Sequence, residues 1–385
     1  MKAFFYSLVL LFSSSVFAEI QLKPLPLGNI GEVEQITLDD KQQLLMLNKK
    51  GELWKMGDKL PLLKEISPQI APQSRYGKIA AMDKNGHFLL WENGKEYRSN
   101  VVISPYSGMV ILPFAVIAVQ RENGKNRLVR LELNGSAVKL AAVSETEVLP
   151  DTQPLQIHFH GENSQGHIAV LAKPDTHTYQ HGVLGDEIEA AELQFLERHN
   201  LQPLATTLSQ PDLAFEANRL AILPTLKGNK IIAVMSGDGE GAKAVLVTEK
   251  AGKLVVEAQS QPLQSNRWQS PFVFNGKLYA VQMPHLAGRL VEYEIKGSEL
   301  IENHLANGLS NHQIGRRETD LTAVSAGFAV IPQIGYRQVA VLNSQGKLTA
   351  LSTQLPANIV KTLASDNIAY LLLANGEIWQ VKSEN

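Results

Sequence analysis

A short unit recurs along this chain: a turn ending in glycine, then a polar residue, an apolar one and, in most copies, another apolar or aromatic residue. It reads Gly51-Glu52-Leu53-Trp54, Gly86-His87-Phe88-Leu89, Gly252-Lys253-Leu254-Val255, Gly276-Lys277-Leu278-Tyr279, Gly346-Lys347-Leu348-Thr349 and Gly376-Glu377-Ile378-Trp379. The apolar segments around it, among them residues 43–47, 78–82, 110–119, 230–234, 338–342 and 370–373, run mostly four to ten residues. That is the length of strands rather than helices. Asn-Gly pairs begin at Asn85, Asn93, Asn123, Asn134, Asn275, Asn307 and Asn375, and such pairs suit tight hairpins because both central residues accept positive φ. The chain therefore reads as a succession of hairpins.

Neighbouring copies at Gly51 and Gly86, and at Gly346 and Gly376, lie 35 and 30 residues apart. A loose period of roughly 30 to 50 residues with several strands in each is expected of propeller blades or a β-solenoid. The first eighteen residues have the form of a cleavable export signal: Lys2, an apolar run over 3–12, then small residues ending at Ala18. The expected domain is then 19–385, and about 367 residues at roughly 45 per blade make eight, or seven if 174–208 is an insertion. A single closed all-β propeller is expected, with seven blades favoured and eight left open. Tandem β-sandwiches are the rival, but no Pro/Gly/Ser-rich linker divides the chain. Residues 188–199 carry helical spacing, with Asp186 and Glu189 placed as a capping box, yet Ala191, Leu193 and Phe195 alternate as a strand would; the segment is assigned to a blade.

The chain has no cysteine, which excludes disulfides, thiolate metal sites, a lipoprotein acyl site and cysteine nucleophiles. Net charge is −2 with both signs interspersed, so there is no basic footprint for nucleic acid or anionic lipid. After the signal no apolar run is long enough to span a membrane. A periplasmic monomer without membrane insertion is the expectation.

Residues 179–190, Asn266-Arg267-Trp268, 284–290 and 310–321 resemble segments of FG-GAP/VCBS-type repeat proteins, exported propellers related in blade design to integrin α chains. The resemblance spans roughly 156–381 in matching order. It implies a binding or scaffold role and, in the family, calcium held by Asp-x-Asp-x-Asp-Gly turns. The corresponding places here, Lys227-Gly228-Asn229, Asn275-Gly276, Ala326-Gly327 and Asp366-Asn367, lack paired acids. Asp238-Gly239-Glu240 and Asp83-Lys84-Asn85-Gly86 keep some acidic or amide character. No cofactor is therefore expected; calcium and zinc are the alternatives.

Five of the ten histidines fall between His158 and His181. His158 and His160 would share one face of a strand and could hold one metal ion, with His181 or His312 completing the site; hydrogen-bonded loop histidines are the plainer reading. The motif segments also carry Asp186, Glu189, Arg267, Trp268 and Asp320, the expected ligand-binding residues, which would converge on one rim of the channel if the segments are equivalent. Catalytic candidates are His312, Glu318, Arg317 and His181, with Glu318 and His312 as an acid–base pair; structural ion pairs between blades are the competing assignment. Trp54, Trp91 and Trp379 read as packing, and Trp268 as packing or a ligand platform. The nucleophile elbow, zinc helix, phosphate loop and dinucleotide fingerprint are all missing. Three functions follow: a non-catalytic propeller binding a protein or cell-envelope component, a propeller hydrolase or lyase working at the channel mouth, and a metal-dependent binding module.

Overall fold

The strands central to each sheet are apolar on both faces. Leu44–Asn48, Lys78–Met82 and Phe328–Pro332 are buried at every position, whereas the outer strand Lys95–Val102 alternates between exposed and half-buried. Continuous burial means that each sheet is covered on both sides, and a computed structural model, which describes residues 20–160 and 166–383, has that arrangement. The expected export signal, 1–18, lies outside the described residues.

The described strands form eight antiparallel units in chain order. The first holds Val33–Leu38, Leu44–Asn48 and Leu53–Lys55, with Leu53 bridged to Leu63. The second runs from Gln73–Arg75 to Lys95–Val102 and the third from Val110–Leu112 to Ala137–Glu147. The fourth contains Leu155–Ile157, His167–Asp175 and Glu189–Leu196. The fifth contains Ala221–Thr225, Gly228–Gly237, Glu240–Lys250 and Lys253–Ser260. The sixth runs from Gln269–Phe274 to Glu299–Ala306 and the seventh from Ala323–Val324 to Leu348–Ala350. The eighth combines Ile359–Ala364, Ile368–Leu373 and Ile378–Ser383 with the first described strand, Ile20–Pro24. Units four to six are joined into one hydrogen-bonded sheet by the two-residue strand Ala214–Phe215 and by a short parallel pairing of Lys253–Ser260 with Glu299–Ala306.

Residues 174–208 are not an insertion: Glu189–Leu196 is a full strand of the fourth unit, and the returning chain bridges it at Leu193–Leu208 and Leu196–Pro203. The helical spacing of 188–199 yields to pairing with His167–Asp175, and Asp186 caps no helix; its Oδ1 accepts from the Ile188 amide at 2.8 Å.

Packing follows from the pleat, which sends alternate side chains to opposite faces. In Lys78–Met82, Ile79 and Ala81 meet Leu45 and Leu47 of the first unit, while Ala80 and Met82 meet Ile111 and Val116 of the third. The same division recurs along the chain, through Val119 with Val170, Leu171 with Val245, Leu246 with Ala280, Val281 with Ala329 and Val341 with Leu371. Leu372 of the eighth unit then shares a cluster with Met46 of the first. Among the described residues the only helical segment is the 3₁₀ turn Gly182–Leu184, and no described helix is long and apolar enough to cross a membrane.

Candidate functional site

First strands, or the residues just before them, come together around one cavity. Gln35, Gln73, Ser107, Leu155, Arg219, Val324 and Thr362, from seven of the eight units, line a cavity of about 710 Å³. The sixth unit contributes Pro271 and Phe272 to an adjoining cavity of about 280 Å³, which shares Arg219, Asp320, Thr322 and Val324 with the first.

Several residues nominated from sequence meet here. The Arg317 guanidinium is 2.9 Å from Asp186 and lies 4.2 Å above the Tyr106 ring. Behind it Asn218 Nδ2 donates both to Asp151 Oδ2, at 3.2 Å, and to the Arg317 carbonyl, at 2.8 Å. Thr319 Oγ1 donates to Asn218 Oδ1 at 3.2 Å. Asp151 is buried, and desolvation together with the neighbouring Asp186 charge pushes its pKa up to about 6. Glu189 is buried as well, and desolvation with the charges of Glu216, Asp186 and Asp151 holds it well above the usual carboxylate range. Glu318 faces the cavity 3.6 Å from Arg219 and 3.6 Å from Lys361. Asp320 Oδ1 accepts from the Thr322 amide and from Asn311 Nδ2, and desolvation raises its pKa.

The histidines are committed elsewhere. His181 Nδ1 lies 2.5 Å from Glu216 Oε1, and Ser236 Oγ donates to the other oxygen of Glu216. Desolvation raises the Glu216 pKa against the opposing pull of His181 and Ser236. His312 is fully buried. The Arg316 carbonyl can only accept, so His312 Nε2 donates to it at 2.7 Å. This leaves Nδ1 as the acceptor for His285 Nε2–H, also at 2.7 Å. Desolvation lowers both histidines to about 4, so the relay is neutral. The acid–base pair of His312 with Glu318 is therefore not formed: residues 310–320 turn His312 inward against Trp268 and send Glu318 to the cavity.

Three further groups of expected residues lie as follows. Trp268 is only 2% exposed and donates from Nε1 to the Glu216 carbonyl at 3.1 Å, and it also lines the adjoining cavity. Arg267 contacts the Asn266 carbonyl beside it and lines neither cavity. His158 and His160 are both exposed and follow the strand Leu155–Ile157 rather than lying in it, while Ile157 and Phe159 pack into the core. However, His160 pairs with Glu249 at 2.9 Å, and among the described residues no group of three or more histidine or acidic side chains is placed to hold a metal ion.

Sequence reading missed Asp151, Glu216, Asn218, Arg219 and Lys361. A signal was present for one of them: Glu216 stands between Phe215 and Ala217 in an apolar stretch, where an acid is buried only with a partner.

No protein-family model matches the chain and no curated protein matches it. Solved structures do. BamB from Moraxella catarrhalis is 14% identical, with 94% of this chain and 93% of that chain covered at a TM-score of 0.54. Sqt1 from Saccharomyces cerevisiae is 9% identical, with 92% and 97% covered at 0.56. The Dos1 propeller is 8% identical, with 94% and 95% covered at 0.55. At these identities the likeness is one of fold, and it does not carry the FG-GAP/VCBS motifs. The chain is an all-β protein with the β-propeller architecture of these neighbours.

Proposed function

We propose that the chain is a non-catalytic binding module of the periplasm, an eight-bladed ring acting as a monomer that engages a protein or cell-envelope component through the face on which its central cavity opens. Two observations support closure: the clusters that join each sheet to the next and the last to the first, and the completion of the last sheet by Ile20–Pro24. Periplasmic placement rests on the character of residues 1–18.

The observation that carries a binding role is the internal commitment of the motif side chains. His181 is taken by Glu216, Arg317 by Asp186, and His312 by His285 and the Arg316 carbonyl. General acid–base work needs a group of suitable pKa within reach of substrate, and these groups face one another. Exposed Tyr106 and Ile314 lie at the cavity and beside it in the chain, apolar positions of the kind that partner recognition uses.

The test is cross-linking and affinity capture from a periplasmic extract with the mature chain. One stoichiometric species should be captured, and Ile314→Asp together with Tyr106→Ser should reduce its yield at least about tenfold, the loss expected of central contacts. Turnover of a substrate that His181→Ala abolishes, with no captured species, would replace this reading with the enzymatic one.

A further inference from the structure

We infer that the central cavity is a site for an anionic saccharide, a hydroxyl-rich ligand carrying a carboxylate or phosphate; this deepens the reading of the cavity face as the binding face and rests on it. Among the residues that line the cavity, four cationic side chains, Arg219, Arg316, Arg317 and Lys361, stand against two carboxylates, Glu318 and Asp320. A chain of net charge −2 thus places a positive excess on one concave surface, which favours an anion.

Geometry separates these cations. Arg317 is held by Asp186 and Tyr106. Arg219 sits 3.6 Å from Glu318 and 3.9 Å from Asp320, and Lys361 3.6 Å from Glu318. Those separations give Coulomb attraction without a hydrogen bond, so the donors of both side chains stay available to a ligand oxygen. Arg219 also lies at the junction of the two cavities, where its planar fork can take a carboxylate or phosphate in bidentate fashion.

Other lining residues bring different chemistry. Gln35, Gln69, Gln73 and Gln153 also line the cavity, and each amide both donates and accepts, as a sugar hydroxyl does. Gln35 Oε1 and Thr362 Oγ1, on neighbouring strands, are buried without a hydrogen-bond partner among the described residues. A volume near 710 Å³ is in the ~300–1,000 Å³ range of small-ligand sites.

Isothermal titration of the full mature chain with glucuronate, glucose 6-phosphate, glucose and inorganic phosphate tests the inference. One or both charged sugars should bind, each at least about tenfold more tightly than glucose and than phosphate, since both the charge and the amides contribute. Which of the two binds identifies a carboxylate or a phosphate source. Arg219→Gln and Lys361→Gln should each weaken binding about tenfold or more, whereas Glu318→Gln should tighten it severalfold by removing the competing carboxylate. Gln73→Ala, free of any ion pair, should weaken binding as well and carries the test if a cation variant does not fold. Absence of binding by either charged sugar, equal binding of glucose, equal binding of phosphate, or weakened binding in Glu318→Gln each overturns the inference. Partner capture that persists alongside such a result leaves the binding-face reading standing; loss of both removes both.

Discussion

Burial sets the protonation of individual acids and histidines around Arg317, and it does so with opposite signs. For Asp151 the folded pKa is raised, from an ordinary 3.8 to about 6, so the folded state holds more protons than the unfolded one between those values. Its contribution to stability falls as pH rises from about 4 to 6 and stays lost above. Asp151→Asn keeps an oxygen to accept from Asn218 and removes the buried charge. It should stabilise the protein by up to about 3 kcal/mol at pH 7.5 and by little at pH 4, measured as the difference in urea unfolding between variant and parent. The His285–His312 pair runs the other way: both pKa values are depressed to about 4. Stability that is full above about 6.5 is lost as pH falls through that range. His285→Ala, which leaves His312 Nδ1 without its donor, should cost about 1 kcal/mol at pH 8, with a smaller gap at pH 5. None of these environments was legible residue by residue. Asp151 follows a proline in a polar stretch and is buried only because Asn218 and Arg317 arrive from other units.

At the scale of the element, the repeated glycine turn has a partner three residues upstream. Asn48, Asp83 and Asn343 each accept from the backbone amides two and four residues on, at 2.8–3.1 Å. The glycines that follow, Gly51, Gly86 and Gly346, have φ near +80°, which a side chain would strain. Asp83-Lys84-Asn85-Gly86, noted in the sequence for its acidic and amide character, forms a hairpin turn whose carboxylate accepts from its own backbone and faces Arg98 at 3.5 Å. Asn343→Ala should cost about 1 kcal/mol, the worth of the local hydrogen bonds, while Gln345→Ala beside it stays within about 0.5 kcal/mol; chemical denaturation of both separates the roles. The strand rhythm was legible because apolar runs and turn residues are local signals. Residues 188–199 were ambiguous because three-and-four spacing and alternation coincide there, and only pairing with His167–Asp175 decides.

Across the whole molecule, stability depends on sheets covering one another. Ile20–Pro24 pairs with Ile378–Ser383, Leu22 opposite Val381, and packs into the cluster between the seventh and eighth units. A mature chain beginning at Leu25 loses that outer strand and should melt on the order of 5 °C lower, as read by circular dichroism. Leu371→Ala, in the buried centre of the same cluster, should cost about 2–5 kcal/mol through the cavity it leaves.

The amino-acid order alone determined the all-β character and the hairpin rhythm, because strand length, alternation and turn chemistry act between near neighbours. Tertiary structure alone decided the number of sheets, the burial of His312 and Trp268, the separation of Glu318 from His312, and the roles of Glu216, Arg219 and Lys361. Those outcomes depend on which faces of distant sheets meet, and neither desolvation nor ion pairing exists for a side chain until that packing brings its neighbours within a few ångströms.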